Sequence, residues 1–151
     1  MAFIGVFPVY NMKFKIGKKG KSSTAPADMV EIKELESFGI SIDGNVDEWT
    51  NMDQAGWASA LMTGKKFSMD LKGKRCVGDD GNDYVAGTAW KDGLECSTKA
   101  EIEFPDGAKL AFNCVLNVTN VGGGDSTNTA PLEFTITGDG RPTYTPAPDS
   151  E

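Results

Sequence analysis

From Leu110 to Val118 every second residue is apolar: Leu110, Phe112, Cys114, Leu116 and Val118. Lys109, Asn113, Asn117 and Thr119 take the places between and beside them. A period of two is the geometry of a strand with one wet face, because successive side chains point to opposite sides of the pleat. Just upstream, Ala100, Ile102 and Phe104 alternate with Lys99, Glu101 and Glu103. Pro105-Asp106-Gly107 separates the two runs; proline presets φ and glycine accepts a positive φ, so a hairpin is predicted over 99–119. The same alternation returns in Met12/Phe14/Ile16, Phe38/Ile40/Ile42, Phe67/Met69/Leu71 and Leu132/Phe134/Ile136. Repeated strand periods with turn residues between them predict a mainly β fold, a β-sandwich of about seven or eight strands. With 151 residues the chain is read as one such domain.

Two stretches break the pattern and read as short helices. Around GNDYVAGTAW, Asp80 or Asn82 is placed to cap, and Val85 and Ala89 share a face with Tyr84 and Trp90. Gly93 stands where a left-handed cap would end that helix, and Val85 and Trp90 are expected to pack on the sheet. In NMDQAGWASALMTG, Trp57 and Leu61 have helical spacing and Gly64 offers a stop, with Gly56 weakening the helix. Before it, Asp43-Gly44 reads as a tight turn.

The chemistry is defined by what is missing. The chain has no histidine, which removes the usual general base and every His-containing triad. Three cysteines without C-x-x-C spacing argue against a zinc site, and Cys114 lies on an apolar strand face. Asp79-Asp80-Asn82-Asp83 lacks the downstream Glu of a calcium loop and reads as capping. Gly122-Gly123-Gly124 lacks the Lys-Ser/Thr of a phosphate loop. A net charge of −7 opposes general nucleic-acid affinity. No apolar run approaches the roughly 20 residues of a membrane helix. No active site, cofactor or metal is expected; the residues describe a β-domain that binds or assembles. A carbohydrate-binding module using Trp49, Trp57 or Trp90 as a platform is the alternative.

The opening MAFIGVFPVY, with Phe3, Ile4, Phe7 and Tyr10, is either a first strand or an apolar arm covered by a neighbour. Pro8 favours an arm or edge.

Three segments in order carry a family resemblance: SFGISIDGNVDEWTNMD, GNDYVAGTAW after KGKR, and NVTNVGGGDSTN. Together they resemble bacteriophage tail tube (major tail) proteins over about Met29 to Pro146. The resemblance implies hexameric rings with a shared β-barrel, stacked head to tail into a virion tail tube that delivers DNA to the host. It implies assembly in the host cytoplasm and, as partners, further copies of the chain, a tape measure protein, a tail terminator and baseplate or tip proteins. DNA would pass without specific binding, and nothing would insert in a membrane. On this reading residues 1–10 are an inter-subunit arm, 11–138 the β-sandwich and 139–151 an extended tail. Trp49, Met52 and Trp57 are the expected ring-stacking loop, and Glu101 and Glu103 the expected lumen-facing residues.

Overall fold

The computed structural model describes residues 5–23 and 25–146. In chain order the strands are β1 (Lys13–Gly17), β2 (Met29–Glu31), β3 (Leu35–Trp49), β4 (Ser59–Lys74), β5 (Ser97–Glu103), β6 (Lys109–Val121), β7 (Pro131–Gly138) and β8 (Thr143–Thr145). Among the described residues one α-helix, α1 (Asp80–Thr88), lies between β4 and β5. All pairings are antiparallel, in the order β2-β1-β5-β6-β7-β4-β3, with β8 added beside β6.

That order forces the sheet to fold over on itself. β2 and β3 are its two margins, yet only Ile32, Lys33 and Glu34 separate them in the chain. Seven flat strands would put the margins about 29 Å apart at 4.8 Å per strand. The four Cα steps from Glu31 to Leu35 span at most about 15 Å. The two halves are therefore packed face to face, and the run Met29–Trp49 passes from one layer to the other, the corner device of β-sandwiches.

The alternating residues fill the space between. Phe14, Ile16, Ala100 and Ile102 come from one half; Phe67, Met69, Leu71, Leu132, Phe134 and Ile136 come from the other. Phe112, Cys114 and Leu116 on β6 join them, with the Phe67 and Phe112 rings edge to face at 4.9 Å. Each large side chain buried this way contributes about 1.5–3 kcal/mol. Val85 and Ala86 of α1 complete the core.

The crossing between layers is held from several sides. Glu34 has φ 66°, a left-handed conformation unusual for a residue with a side chain. Its carbonyl accepts from Lys74 N at 2.8 Å. Asn82 is fully buried and all its side-chain hydrogen-bonding capacity is engaged. Its Oδ1 accepts from Arg75 Nη1 and Cys76 N, and its Nδ2 donates to the carbonyls of Lys33 and Lys74. Asp79 Oδ2 accepts from both Asn82 N and Lys33 N. A Cβ on Gly73 would lie 2.2 Å from the Glu34 carbonyl, and one on Gly81 2.6 Å from that of Glu31. Both glycines are required by close approach of backbone to backbone.

Several local expectations are corrected. Asp43-Gly44 is no turn: both residues pair across to Lys66 and Lys65 inside β3 and β4, and the reversal comes at 50–58. The helix expected near Trp57 is one 3-10 turn, Met52–Gln54, because Ala55 and Gly56 adopt positive φ and Ser59 onward pairs with β3. The α1 cap is Asp79, while Asn82 is used inside the crossing. Gly93 is left-handed but opens a separate turn, Gly93–Cys96. Trp90 is exposed rather than packed, since the helix ends at Thr88 and its inward face is already filled. A further strand, β8, follows the run expected to be last.

Candidate assembly surfaces

β3 and β4 stay paired from Leu35↔Gly73 to Trp49↔Ser59, but β7 covers β4 only from Ser68 onward. The segments Ile42–Trp49 and Ser59–Lys66 therefore leave the body as a two-stranded ribbon. Seven residue steps along a strand make it roughly 23 Å long. Among the described residues neither edge of this ribbon has a partner strand. A hairpin with no third strand is marginal in water. This one also leaves Ile42, Val46, Leu61 and Met62 exposed.

Its tip is nevertheless well formed. Asn51 and Gln54 form a capping box, and Trp57 N donates to the Gln54 carbonyl at 3.0 Å. Gln54 Nε2 donates to Ser59 Oγ, tying the turn to the ribbon. That arrangement presents Met52 and Trp57 outward, Trp57 being 79% exposed, with Trp49 at the last ladder pair. The three residues expected in a contact loop are thus brought together at one tip. Sequence reasoning missed the flanking Ile42, Val46, Leu61 and Met62. Their signal was the matched length of two alternating runs, obscured by reading Asp43-Gly44 as a turn.

At the ribbon's base an open groove of about 930 Å³ has Ile40, Ile42, Met62, Phe67, Phe104 and Leu110 among its lining, with Lys65, Lys66 and Arg141 beside them. Of the expected arm residues, Phe3 and Ile4 lie outside the described residues. Phe7 is partly exposed and Tyr10 largely so, and Val9–Asn11 forms a 3-10 turn. Glu101 and Glu103 point away from the core, but in a basic setting. Glu101 pairs with Lys15, and Glu103 sits between Lys13 and Lys109.

The remaining polar clusters are occupied internally. Asp83 Oδ1 accepts from Arg75 Nη1 at 2.8 Å, and Asp79 serves the crossing. Among the described residues no group of carboxylates and thiols is placed to hold a metal, and no helix is long and apolar enough to cross a membrane. Burial, with Asp139 adding repulsion, pushes the Cys114 thiol up to about 12. That makes it core, not nucleophile.

No protein-family model matches the sequence, and no curated protein matches it. Solved structures do match in three dimensions. A chain in the tail of an empty gene transfer agent particle, determined with C6 symmetry, has TM-score 0.69 and 16% identity, covering 93% of this chain and all of that one. A chain in the virion of a native gene transfer agent particle gives 0.68 and 17%, again covering 93% of this chain and 100% of that one. A chain in the sheath-tube complex of an extracellular contractile injection system, extended state, gives 0.58 and 14%, covering 93% and 91%.

Proposed function

We propose that this chain, which has the tail-tube fold, is the structural subunit of a phage-type tail tube. Six copies form a ring, the rings stack, and the channel conducts DNA into a host. The observation that carries the proposal is the ribbon with two open edges and an ordered apolar tip. A monomer gains nothing from such an element, whereas a neighbour supplies the missing third strand and covers the tip. Ring closure uses the open edges. Stacking uses Trp49, Met52 and Trp57, and a head-to-tail contact of this kind does not close, so it builds a filament. The arm around Phe3, Ile4, Phe7 and Tyr10 reaches a neighbouring copy. A tape measure protein, a terminator and baseplate or tip proteins are the further partners, and the working location is the virion tail. One of the two outward faces of the folded sheet lines the channel, and Glu101 and Glu103 are the lining that the sequence suggests. Negative-stain microscopy of the purified protein, dilute and concentrated, tests the reading. Rings or tubes are expected; a monomer under every condition overturns it.

A further inference from the structure

The outward face of the sheet is chemically divided. On β1, β5 and the start of β6 it carries Lys13, Lys15, Lys99 and Lys109 against Glu101 and Glu103, an excess of positive charge on long side chains. On β6, β7, β4 and β3 the pairing registers continue across four strands. One row reads Asn117–Thr135–Asp70–Gly39 and the next Val115–Thr137–Ser68–Ser41. These side chains are short, and the only charge among them is Asp70, whose Oδ1 accepts from Thr135 Oγ1 at 3.0 Å. The lysines that border the rows each have an acid alongside: Lys72 pairs with Glu133 and Lys66 with Asp43.

The two regions also differ in how they could continue into a neighbour. The β3 margin is open along its length, and no described strand pairs the flank of β6 beyond Val115 on the β5 side. The four-strand face thus has a long open edge at β3 and a further flank of β6 without a described strand partner, whereas beyond β5 and β1 the open margin is only the three-residue β2.

Resting on the tube reading, we infer that the channel is lined by the four-strand face, through the rows of Asn117, Thr135, Asp70, Val115, Thr137 and Ser68, rather than by Glu101 and Glu103. A duplex passing this face meets hydroxyls, amides and one ring of carboxylates. Its rows carry no lysine, and at their borders Lys66 and Lys72 each lie opposite a carboxylate, so there is no excess of cations to release counterions and hold it. The β5 face, with its lysines, belongs to the outside.

The test compares tubes of the unaltered chain, of Asn117→Lys/Ser68→Lys and of Glu101→Lys/Glu103→Lys. Each is mixed with short duplex DNA at low salt, pelleted and treated with nuclease. Cations in the lumen hold DNA where nuclease cannot reach; cations outside hold it where nuclease can. Asn117→Lys/Ser68→Lys tubes are expected to keep at least about tenfold more protected DNA than either other tube, and to lose it as salt rises. Protection with the Glu101/Glu103 variant, or equal protection in both, overturns the inference. A milder variant, Thr137→Cys, covers failure of the lysine variant to assemble. In tubes its thiol, followed by site-resolved mass spectrometry, should react with a small alkylating reagent and be shielded from a long-polymer maleimide; reaction with both overturns the inference. Tubes that fail these tests overturn only the lining, whereas no tubes from the unaltered chain overturns the tube reading and the lining with it.

Discussion

The lower half of β4, Ser68–Lys74, and its upper half, Ser59–Lys66, belong to one continuous strand with opposite fates. The lower half has β7 on one side and β3 on the other, and its Met69 and Leu71 are buried. The upper half has β3 alone, and its Leu61 and Met62 are exposed. Apolar residues occur in both. What separates them is the number of neighbouring strands, which decides whether an apolar face closes within the chain or waits for another copy. Stability and assembly are thus written on different stretches of the same element.

Substitutions that treat the halves alike in chemistry should separate them in effect. Phe134→Ala, in the closed half, is expected to cost about 3–5 kcal/mol by leaving a cavity. Ile42→Ala on the ribbon should cost less than about 1 kcal/mol. Urea denaturation of the two variants measures both, and equal losses would erase the distinction. Asn82→Ala should cost about 2–4 kcal/mol, because the carbonyls of Lys33 and Lys74 lose their donor in a buried place. The cost should appear in the same denaturation curves. The Cys114 thiol sharpens the picture from another direction. Its folded value, about 12, lies above the ordinary 9.0. Stability is therefore full below about pH 9 and falls by up to about 1.4 kcal/mol per unit between there and 12. Cys114→Ala should flatten that slope in alkaline denaturation. Last come Trp49→Ala and Trp57→Ala, whose melting should shift little while ring and tube formation weakens. Melting and microscopy on the same preparations check this, and a large drop in melting would place either tryptophan in the core.

Much of the closed half was legible in the sequence. Phe14, Ile16, Met69, Ile102, Leu116 and Phe134 each sit on the buried face that period two assigned to them. The tip residues Trp49, Met52 and Trp57 were also found together. The ribbon itself was not legible, because Asp43-Gly44 is strong turn chemistry and only pairing with Lys65 and Lys66, far along the chain, keeps it extended. Trp90 misled for a related reason: helical spacing says which residues share a face, not which face is already full. Asn82 looked like a cap because asparagine favours caps. Its use in binding the crossing depends on carbonyls of Lys33 and Lys74 that only the fold brings near. Nothing in a local pattern announces Glu34 at φ 66°.

The crossing at Ile32–Glu34 has a mechanical consequence. A pull on the ribbon tip is shared along the β3–β4 ladder as far as Leu35, and what remains at the foot of β3 passes into this corner. There the load meets Lys74 N bonded to Glu34, and Asn82 and Asp79 bonded to Lys33, all acting at once. Bonds that share a load yield together or not at all, so a filament bent or stretched through its ribbons would hold stiffly up to a threshold force.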